Sequence, residues 1–567
     1  MKTYLSLILV AGMIAACTSS TEPPVENVET PSPLTTGIST ASPQPTRTAT
    51  PILRPWWEDA VFYEIFVRSY YDSNGDGIGD FNGITEKLDY LQQLGITAIW
   101  LMPIHPSASY HGYDVINYFS VNPDYGTLDD FKHLLTEAHQ RGIHVIIDLV
   151  LNHTSDQNPW FLDANNNPQS PYRDWYIWSD TDPGYLGPLG VAWHPGKQGW
   201  YYGIFNAGMP DLNYNNPAVT AEMEKVVQFW LNEVGVDGFR IDAANYLVEE
   251  GQKQVNTQST HTWLKGFYAA YKADDPNAFT VGEVYGSDPS LASTYTGNQM
   301  DRVFNFEMAS DMVNSVNGQT TSAVDSAVTF AEQSMPDWNF ATFLTNHDQD
   351  RLLTQLNDST DKVQAAASIL LTAPGVPFLY YGEEVGLEGG GQDELKRRPM
   401  QWSAAANAGF STVTPWEPVG PDYQTFNVAA ESNDPASILA HYRELIQLRN
   451  QHPALRMGGL DLVKSSDPGL YSILRVSQGS GAASSLNEAV LVLINLTSAP
   501  INRSVLSLAK SPLVPGSYHL VPMMGSGPAA DLTAGGLGDF SQLQPVREIP
   551  AYGTLILQLQ PVSTIGN

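Results

Sequence analysis

The chain has 567 residues, 42% of them apolar and 16% charged; this is enough for roughly two to four domains with buried cores, and it excludes a disordered protein. Asp and Glu number 60 against 28 Lys and Arg, and the resulting formal charge of −32 repels phosphate backbones and anionic lipid, so nucleic acid is a poor partner. A single cysteine rules out a disulfide framework or a Cys-based zinc site.

At the N-terminus, Lys2 precedes an apolar stretch from Tyr4 to Ala16 that is shorter than the roughly 20 residues a bilayer span needs. The lone cysteine, Cys17, follows Ile14-Ala15-Ala16, which resembles a bacterial lipobox. Residues 1–17 therefore read as a lipoprotein signal peptide, cut before a lipid-modified Cys17, with an ordinary signal peptide as the alternative. The expectation is an exported protein at the cell surface or facing the periplasm, touching the membrane only through its acyl anchor. Residues 18–55, rich in Thr, Ser and Pro, cannot bury enough surface to offset their ordering entropy and read as an extended tether.

From Val61 onward short apolar runs alternate with helical patterns. Eight runs stand out, from VFYEIFV (61–67), AIWLMPI (98–104), HVIIDLV (144–150) and GFRID (238–242) to FTVGEVY (279–285), RVFNFEM (302–308), FATFLTN (340–346) and VPFLYYG (376–382). Continuous runs of this kind suit parallel strands covered on both faces. Between them, Thr127 and Asp130 make a capping-box-like helix start, with Phe131, Leu134, Leu135 and Ala138 on one face and Gly142 as the stop. A second helix is predicted over Ser437–Arg449. The alternation predicts an α/β protein, a (β/α)8 TIM barrel over 56–152 and 211–456, with a doubly wound open sheet as the competitor. Residues 153–210, rich in Asn, Pro, Trp, Tyr and Gly, form an inserted subdomain after strand three in this reading, and the strand-only pattern of 457–567 predicts a C-terminal antiparallel β-sandwich.

After the first strand comes DSNGDGIGD (72–80). Asp72, Asn74 and Asp76 repeat at i, i+2 and i+4, Gly77 permits a sharp turn, Asp80 closes the loop, and the carbonyl of Ile78 fills a further position. Oxygen donors so spaced suit Ca²⁺. The loop is no EF-hand, since its twelfth position is Gly83, and a metal-free polar turn is the plain alternative.

Polar residues gather at the ends of the predicted strands, where a barrel of this type places its chemistry: Asp148, Asn152 and His153; Arg240 and Asp242; Glu283; Asn346, His347 and Asp348. Taken singly, each is more often a cap or an ion-pair partner. Jointly, DLVLNH (148–153), GFRIDA (238–243), GEVY (282–285) and FLTNHD (343–348) resemble, in order and position, the four signature regions of the α-amylase family of glycoside hydrolases. MPDLN (209–213) is similar to that family's fifth region, in wording between its oligo-1,6-glucosidase and neopullulanase branches. The resemblance spans residues of about 56 to 560.

What the resemblance implies is specific. Asp242 is the nucleophile, Glu283 the general acid and base, and Asp348 the third carboxylate, which favours a distorted sugar ring; retaining glycosidases need such a pair about 5–5.5 Å apart. Arg240 holds Asp242 ionised, His153 and His347 donate to sugar hydroxyls, and Tyr113 of HGYD (111–114) stacks on the same sugar. The 72–80 loop corresponds to a structural calcium site, whereas a second calcium at Asn152 finds no partner ligands by spacing.

Departures matter too. Asn245-Tyr246 stands where amylases carry Lys-His, so the lysine contact on the leaving-group side is lost. His111 replaces the acidic residue with which α-glucosidases of the family block the non-reducing end, which argues for an open cleft, while RRPMQW (397–402) pulls towards the oligo-1,6-glucosidase branch. The aromatics of WHPGKQGWYYG (193–203) either stack on sugar or pack the subdomain. The expectation is a monomeric, calcium-containing, surface-anchored α-amylase cutting α-1,4 bonds inside starch and maltooligosaccharides. The alternatives are a neopullulanase-like, α-1,6-acting or transglycosylating relative and, from another class, a non-catalytic glucan-binding lipoprotein.

Overall fold

The computed structural model describes residues 54–478 and 486–562; the expected signal peptide, Cys17 and all but the last two residues of the expected 18–55 tether lie outside the described residues. Eight strands carry the central sheet: β1 (Phe62–Ile65), β2 (Ala98–Leu101), β3 (His144–Leu149), β4 (Gly238–Ile241), β5 (Phe279–Gly282), β6 (Arg302–Val303), β7 (Ala341–Thr342) and β8 (Val376–Tyr380). Each pairs in parallel with its neighbours in chain order, and β8 returns to β1 through Phe378 opposite Phe62. A single parallel bridge, Phe304 to Ala341, joins β6 to β7 and closes the ring, so the sheet is a barrel and not the open alternative.

The strands look continuous in sequence because both faces are covered. Phe62, Ala98, Trp100, Ile146, Phe279 and Phe378 point inward and form the barrel's inner core, with Phe62 stacked on Phe378 at 4.2 Å. Their neighbours Tyr63, Ile65, Ile99, Leu101 and Ile147 belong to the layer between sheet and helices. A strand's period of two then sends Glu64, Asp148, Arg240 and Asp242 inward, one layer above the apolar floor.

The helices form for reasons visible locally. Helix α1 (Phe81–Leu94) starts where the Asp80 carboxylate accepts from Gly83 N and ends at Gly95, in the left-handed region at φ 95°. Helix α2 (Leu128–Gln140) has the reciprocal Thr127–Asp130 capping box and buries Phe131, Leu134, Leu135 and Ala138. The helix expected over 437–449 runs Ile438–Gln451, with Ser437 as its cap. Two strands are shorter than their apolar runs. The run at 302–308 gives up its second half because Asn305 caps a helix over Phe306–Gly318, and the run at 340–346 keeps only two strand residues before its polar end turns into the cavity.

Between β3 and β4 the chain makes a helix (Pro159–Asn166) and a three-stranded antiparallel sheet of Trp178–Ser179, Gly199–Tyr202 and Trp193–Gly196. Trp193, Tyr201 and Tyr202 are buried there, Tyr201 against Phe161 and Trp178, and Trp193 against Tyr202, so these three rings pack the subdomain. After the barrel, a six-stranded antiparallel sheet and a three-stranded one share a core that includes Leu474, Leu491, Leu506, Phe540 and Leu557. The other face of the larger sheet, with Tyr471, Ile473, Val490 and Ile556, merges into the barrel's helical layer. Among the described residues no helix is long and apolar enough to cross a membrane.

Candidate active site

The C-terminal ends of the strands open into a cavity of about 500 Å³ whose lining includes Asp242, Glu283 and Asp348. At its base lies Arg240, 1% exposed. Its Nη1 donates to Asp242 Oδ1 at 2.6 Å and to Asp148 Oδ1 at 2.9 Å, while Nη2 donates to Glu283 Oε2 at 2.6 Å. One planar guanidinium thus gathers carboxylates from β3, β4 and the end of β5. Oxygens that accept from the two terminal nitrogens of one guanidinium are held close together, as a pair serving one anomeric carbon must be.

The turn after β4 bends back over Glu283. Ala243 has φ +47°, a left-handed conformation that a non-glycine residue rarely adopts, and its N–H donates to Glu283 Oε2 at 3.2 Å; the next amide, of Ala244, donates to the Glu283 carbonyl at 3.0 Å. Burial, reinforced by the charges of Asp242 and Asp348, pushes the Glu283 carboxyl up to about 7 against the pull of Arg240. Asp148 is likewise raised by burial, to about 6.

The third carboxylate is held differently. Asp348 has a side chain 53% exposed to the cavity, accepts from Arg397 Nη2 at 3.2 Å and lies 3.3 Å from His347 Nε2. Burial pushes its carboxyl up, but His347, Arg397 and Arg240 together bring it below the usual range. His347 itself is fixed on both ring nitrogens: Nδ1 meets Glu64 Oε1 at 2.6 Å and Nε2 meets Tyr113 Oη at 2.8 Å. Burial lowers the imidazole, yet the Asp348 and Glu64 carboxylates raise it overall. Tyr113 donates to Asp148 Oδ2 at 3.0 Å, with its ring nearly parallel to that of His347. His153 is 2% exposed, lines the cavity, and has no partner for Nε2, a buried polar atom suited to a sugar hydroxyl. All seven residues singled out for substrate and chemistry, Asp242, Glu283, Asp348, Tyr113, His153, Arg240 and His347, therefore meet around one cavity.

Several residues at or behind this cavity carry no functional signal of their own in the sequence. Glu64 contacts His347 across 283 positions of chain. Asp393 pairs with Arg397 at 3.0 Å and lines the cavity together with His111, so the end that His111 leaves without an acid receives one from elsewhere. Leu189, Phe205, Met209, Tyr285 and Phe306 supply an apolar wall; Tyr246, of the departing Asn245-Tyr246 pair, joins them, while Asn245 turns away and donates to the Tyr285 carbonyl at 3.1 Å.

The 72–80 loop lies apart from this cavity's lining. Asp72 Oδ1 accepts from Gly75 N at 2.7 Å and Oδ2 from Gly77 N at 2.8 Å; Asp80 Oδ1 accepts from Gly83 N at 2.7 Å. Asn74 and Asp76 are exposed and close local turns onto Asp76 N and Ile78 N. Gly77, at φ +93°, packs so tightly on the Thr414 carbonyl that a Cβ would come within 2.5 Å of it. The donors, all oxygen, suit a hard cation, and each carboxylate oxygen retains acceptor capacity beyond its hydrogen bond. Among the described residues, however, no group of three or more Asp, Glu, His or Cys side chains converges into a metal cluster. Asn152 lies against the buried Asp211 carboxylate.

A closed barrel whose strand ends converge three carboxylates on one buried arginine defines a glycoside hydrolase of the α-amylase type. The chain belongs to the α-amylase family: the model of the alpha amylase catalytic domain matches residues 64–458. It is 42% identical over 421 residues to alpha-amylase 3 of Dictyoglomus thermophilum, covering 73% of this chain and 81% of that protein. It is also 34% identical over 525 residues to an oligo-1,6-glucosidase of Parageobacillus thermoglucosidasius, covering 78% and 91%. The crystal structure of the α-amylase from H. orenii superposes with a TM-score of 0.76 at 37% identity, over 89% of this chain and all of that one.

Proposed function

We propose that the protein is a retaining, endo-acting α-amylase that cleaves α-1,4 bonds in starch and maltooligosaccharides. The observation that carries the reading is the sharing of the Arg240 guanidinium by Asp242 and Glu283. In this mechanism the Asp242 carboxylate, oriented by its hydrogen bond from Arg240, attacks C1 while protonated Glu283 gives its proton to the departing oxygen. The product is a glycosyl ester on Asp242. Glu283, now a carboxylate, takes a proton from water, which attacks C1 and returns the bonding pair to Asp242. Asp348, His347 and the free Nε2 of His153 hold hydroxyls of the reacting sugar, and Tyr113 packs on its face. A Glu283 pKa of about 7 keeps the acid protonated up to neutral pH, so kcat/KM falls as pH rises through about 7.

A second reading has its own observation. The Asp393–Arg397 pair stands on the wall beside His111 and Asp348, where a blocked end would favour removal of terminal glucose or α-1,6 cleavage. The products from amylose and isomaltose decide between them. Early release of internal fragments from amylose, with isomaltose untouched, supports the endo reading; glucose alone, from either substrate, refutes it.

Three further expectations stand as part of this proposal. The 72–80 loop takes Ca²⁺ through Asp72, Asn74, Asp76, Asp80 and the Ile78 carbonyl, supported by donor type and spacing. Cys17 is the lipid anchor that holds the enzyme at a membrane surface, supported by its place after Ile14-Ala15-Ala16. The enzyme works as a monomer on soluble and polymeric α-glucans.

A further inference from the structure

Acidic residues outnumber basic ones by 60 to 28 in this chain, yet one place reverses the balance. Arg54, Arg302, Arg456 and Arg475 line a cavity of about 530 Å³ whose lining carboxylates are Glu58 and Asp337. It opens at the N-terminal ends of the barrel strands, where β6 begins at Arg302 and β8 at Val376, and it shares no lining residue with the cavity of Asp242 and Glu283. Gly459 and Arg475, on strands Gly459–Leu462 and Leu470–Gln478 of the six-stranded antiparallel sheet, form another part of its wall.

The charges in and behind this wall are not balanced. Arg475 and Arg449 are 0% and 1% exposed. Arg475 donates to the carbonyls of Thr372, Gly458 and Gly459, and Arg449 to those of Leu371, Ala373, Gly375 and Arg456. These bonds occupy N–H groups but bring no carboxylate, and the helix that ends at Thr372 offers about half a negative charge to two full positive ones. Burial, then repulsion from Arg475 and Arg456, presses the Arg449 guanidinium down, with Asp59 pulling the other way. A buried charge without a counterion is costly, and an anion in the adjoining cavity would lower that cost.

The arginines that face the cavity keep donors to spare. Nε of Arg302 and Nε of Arg456 are buried with no hydrogen-bond partner. Glu58 stands 3.6 Å from Arg54 and 3.7 Å from Arg302, in ionic contact but beyond hydrogen-bond distance. Asp59 lies 3.2 Å from Arg456 Nε without aligning to accept from it. The backbone of the wall is strained as well: Asp337 and Trp338 are consecutive residues at φ +58° and +54°, a pairing that persists only where the surroundings dictate it. Gly375, at φ +84°, keeps its part of the wall bare, since a Cβ there would come within 2.8 Å of Phe340.

We propose that this cavity binds a phosphate group, free or carried on a sugar, between the barrel and the β-domain. Four lining guanidinium groups less two lining carboxylates leave a charge of +2, which a dianion cancels. Planar guanidinium forks match the edges of a tetrahedral oxyanion, a fit that a spherical halide does not exploit. The cavity is roomier than a lone phosphate requires, and Trp338 in its lining offers an aromatic ring to the sugar of a phosphorylated one. Arg302 belongs to the barrel and Arg475 to the β-domain, so a bound anion joins the two and stabilises their junction.

The test titrates the intact protein with inorganic phosphate and with glucose 6-phosphate in a calorimeter, and follows its melting temperature at millimolar phosphate against sodium chloride of equal ionic strength. One anion per chain is expected, with the melting temperature raised by roughly 2 °C over the chloride control. Arg302→Gln and Arg456→Gln should each weaken phosphate binding about tenfold. Glu58→Gln, which removes a competing carboxylate, should tighten it about threefold. All three should keep the parent's hydrolytic activity. Tighter binding of glucose 6-phosphate than of phosphate supports a site for a phosphorylated sugar, and equal affinities support one for the free anion. Absence of heat and of any melting shift with both probes would overturn the site. So would binding that Arg302→Gln or Glu58→Gln leaves at the parent value, and the Glu58 variant decides alone should the arginine variants fail to fold.

Discussion

At His347 two carboxylates and a phenol compete for one imidazole. Glu64 holds Nδ1 at 2.6 Å, while Tyr113 and Asp348 share Nε2 at 2.8 and 3.3 Å. Glu64 and His347 are 2% and 1% exposed, so this pair works in a poorly screened environment and fixes both the charge and the tilt of the ring. In the proposed mechanism Glu64 is a positioning residue, which touches His347 and reaches the sugar only through it. Glu64→Gln keeps an oxygen that can accept from Nδ1 but removes the charge. We expect kcat to fall roughly 10- to 100-fold with KM little changed, and the acid limb of the pH profile to move upward, because a less cationic His347 holds Asp348 down less well. Glu64→Asp should recover part of kcat. A variant with parent kcat and an unmoved acid limb would show that the pair serves packing alone.

The secondary-structure elements show which parts of this arrangement the sequence makes legible. Asp148, Asp242, Glu283 and Asp348 could be found because each ends an apolar run, and a strand's period of two fixes which face such a residue takes. The Thr127 cap and the Ser437 start were readable for the same local reason, since a cap is made within four residues. What could not be read are contacts made across the ring. The Phe304–Ala341 bridge that closes the barrel joins two strands of two residues each, too short for any periodicity. Asp393 beside His111 opens a helix of four residues, Asp393–Lys396, and Leu189 at the cleft edge lies in a turn, both reached by loops whose course no local pattern encodes. The 72–80 loop stands between these cases. Its spacing is legible, whereas its side chains spend their oxygens on loop amides, and the two facts meet in one experiment. If the loop takes Ca²⁺, chelator lowers the melting temperature of the parent, and Asp76→Ala, which removes an exposed donor, has a lower melting temperature that no longer responds to chelator. Melting that chelator leaves unchanged in the parent would reduce the loop to a hydrogen-bonded turn.

Across the whole molecule, charge balance and burial act in the same direction. The chain carries a net −32, and burial raises several carboxyls inside it: Glu383 to about 8, and Glu249, Glu283 and Glu431 to about 7. A carboxyl with a higher pKa folded than unfolded binds its proton more tightly in the fold. Its contribution is complete below the unfolded value of about 4.3 and is lost as pH rises through the folded value. Asp237 opposes this at low pH, because His139 and His144 hold it at about 2 against burial, so its support is lost only as pH falls towards that value. Stability should therefore peak near pH 4, and scanning calorimetry should show a lower melting temperature at pH 8 than at pH 5.5; the reverse order would contradict the burial argument. Buried arginines stand at the junction of barrel and β-domain. Arg449 and Arg475, both buried, donate to carbonyls of Leu371, Thr372, Ala373 and Gly375 at the end of a barrel helix, where the dipole is negative.

In the proposed mechanism all of these scales serve one event, the bonding of a sugar to Asp242. A fluorinated α-glycosyl fluoride that slows the second step should trap that ester, and digestion followed by mass spectrometry should find the added mass on the peptide that contains Asp242, with Asp242→Asn unlabelled. Label on a different residue, or turnover of the parent to a product of inverted configuration with no label at all, would contradict the account.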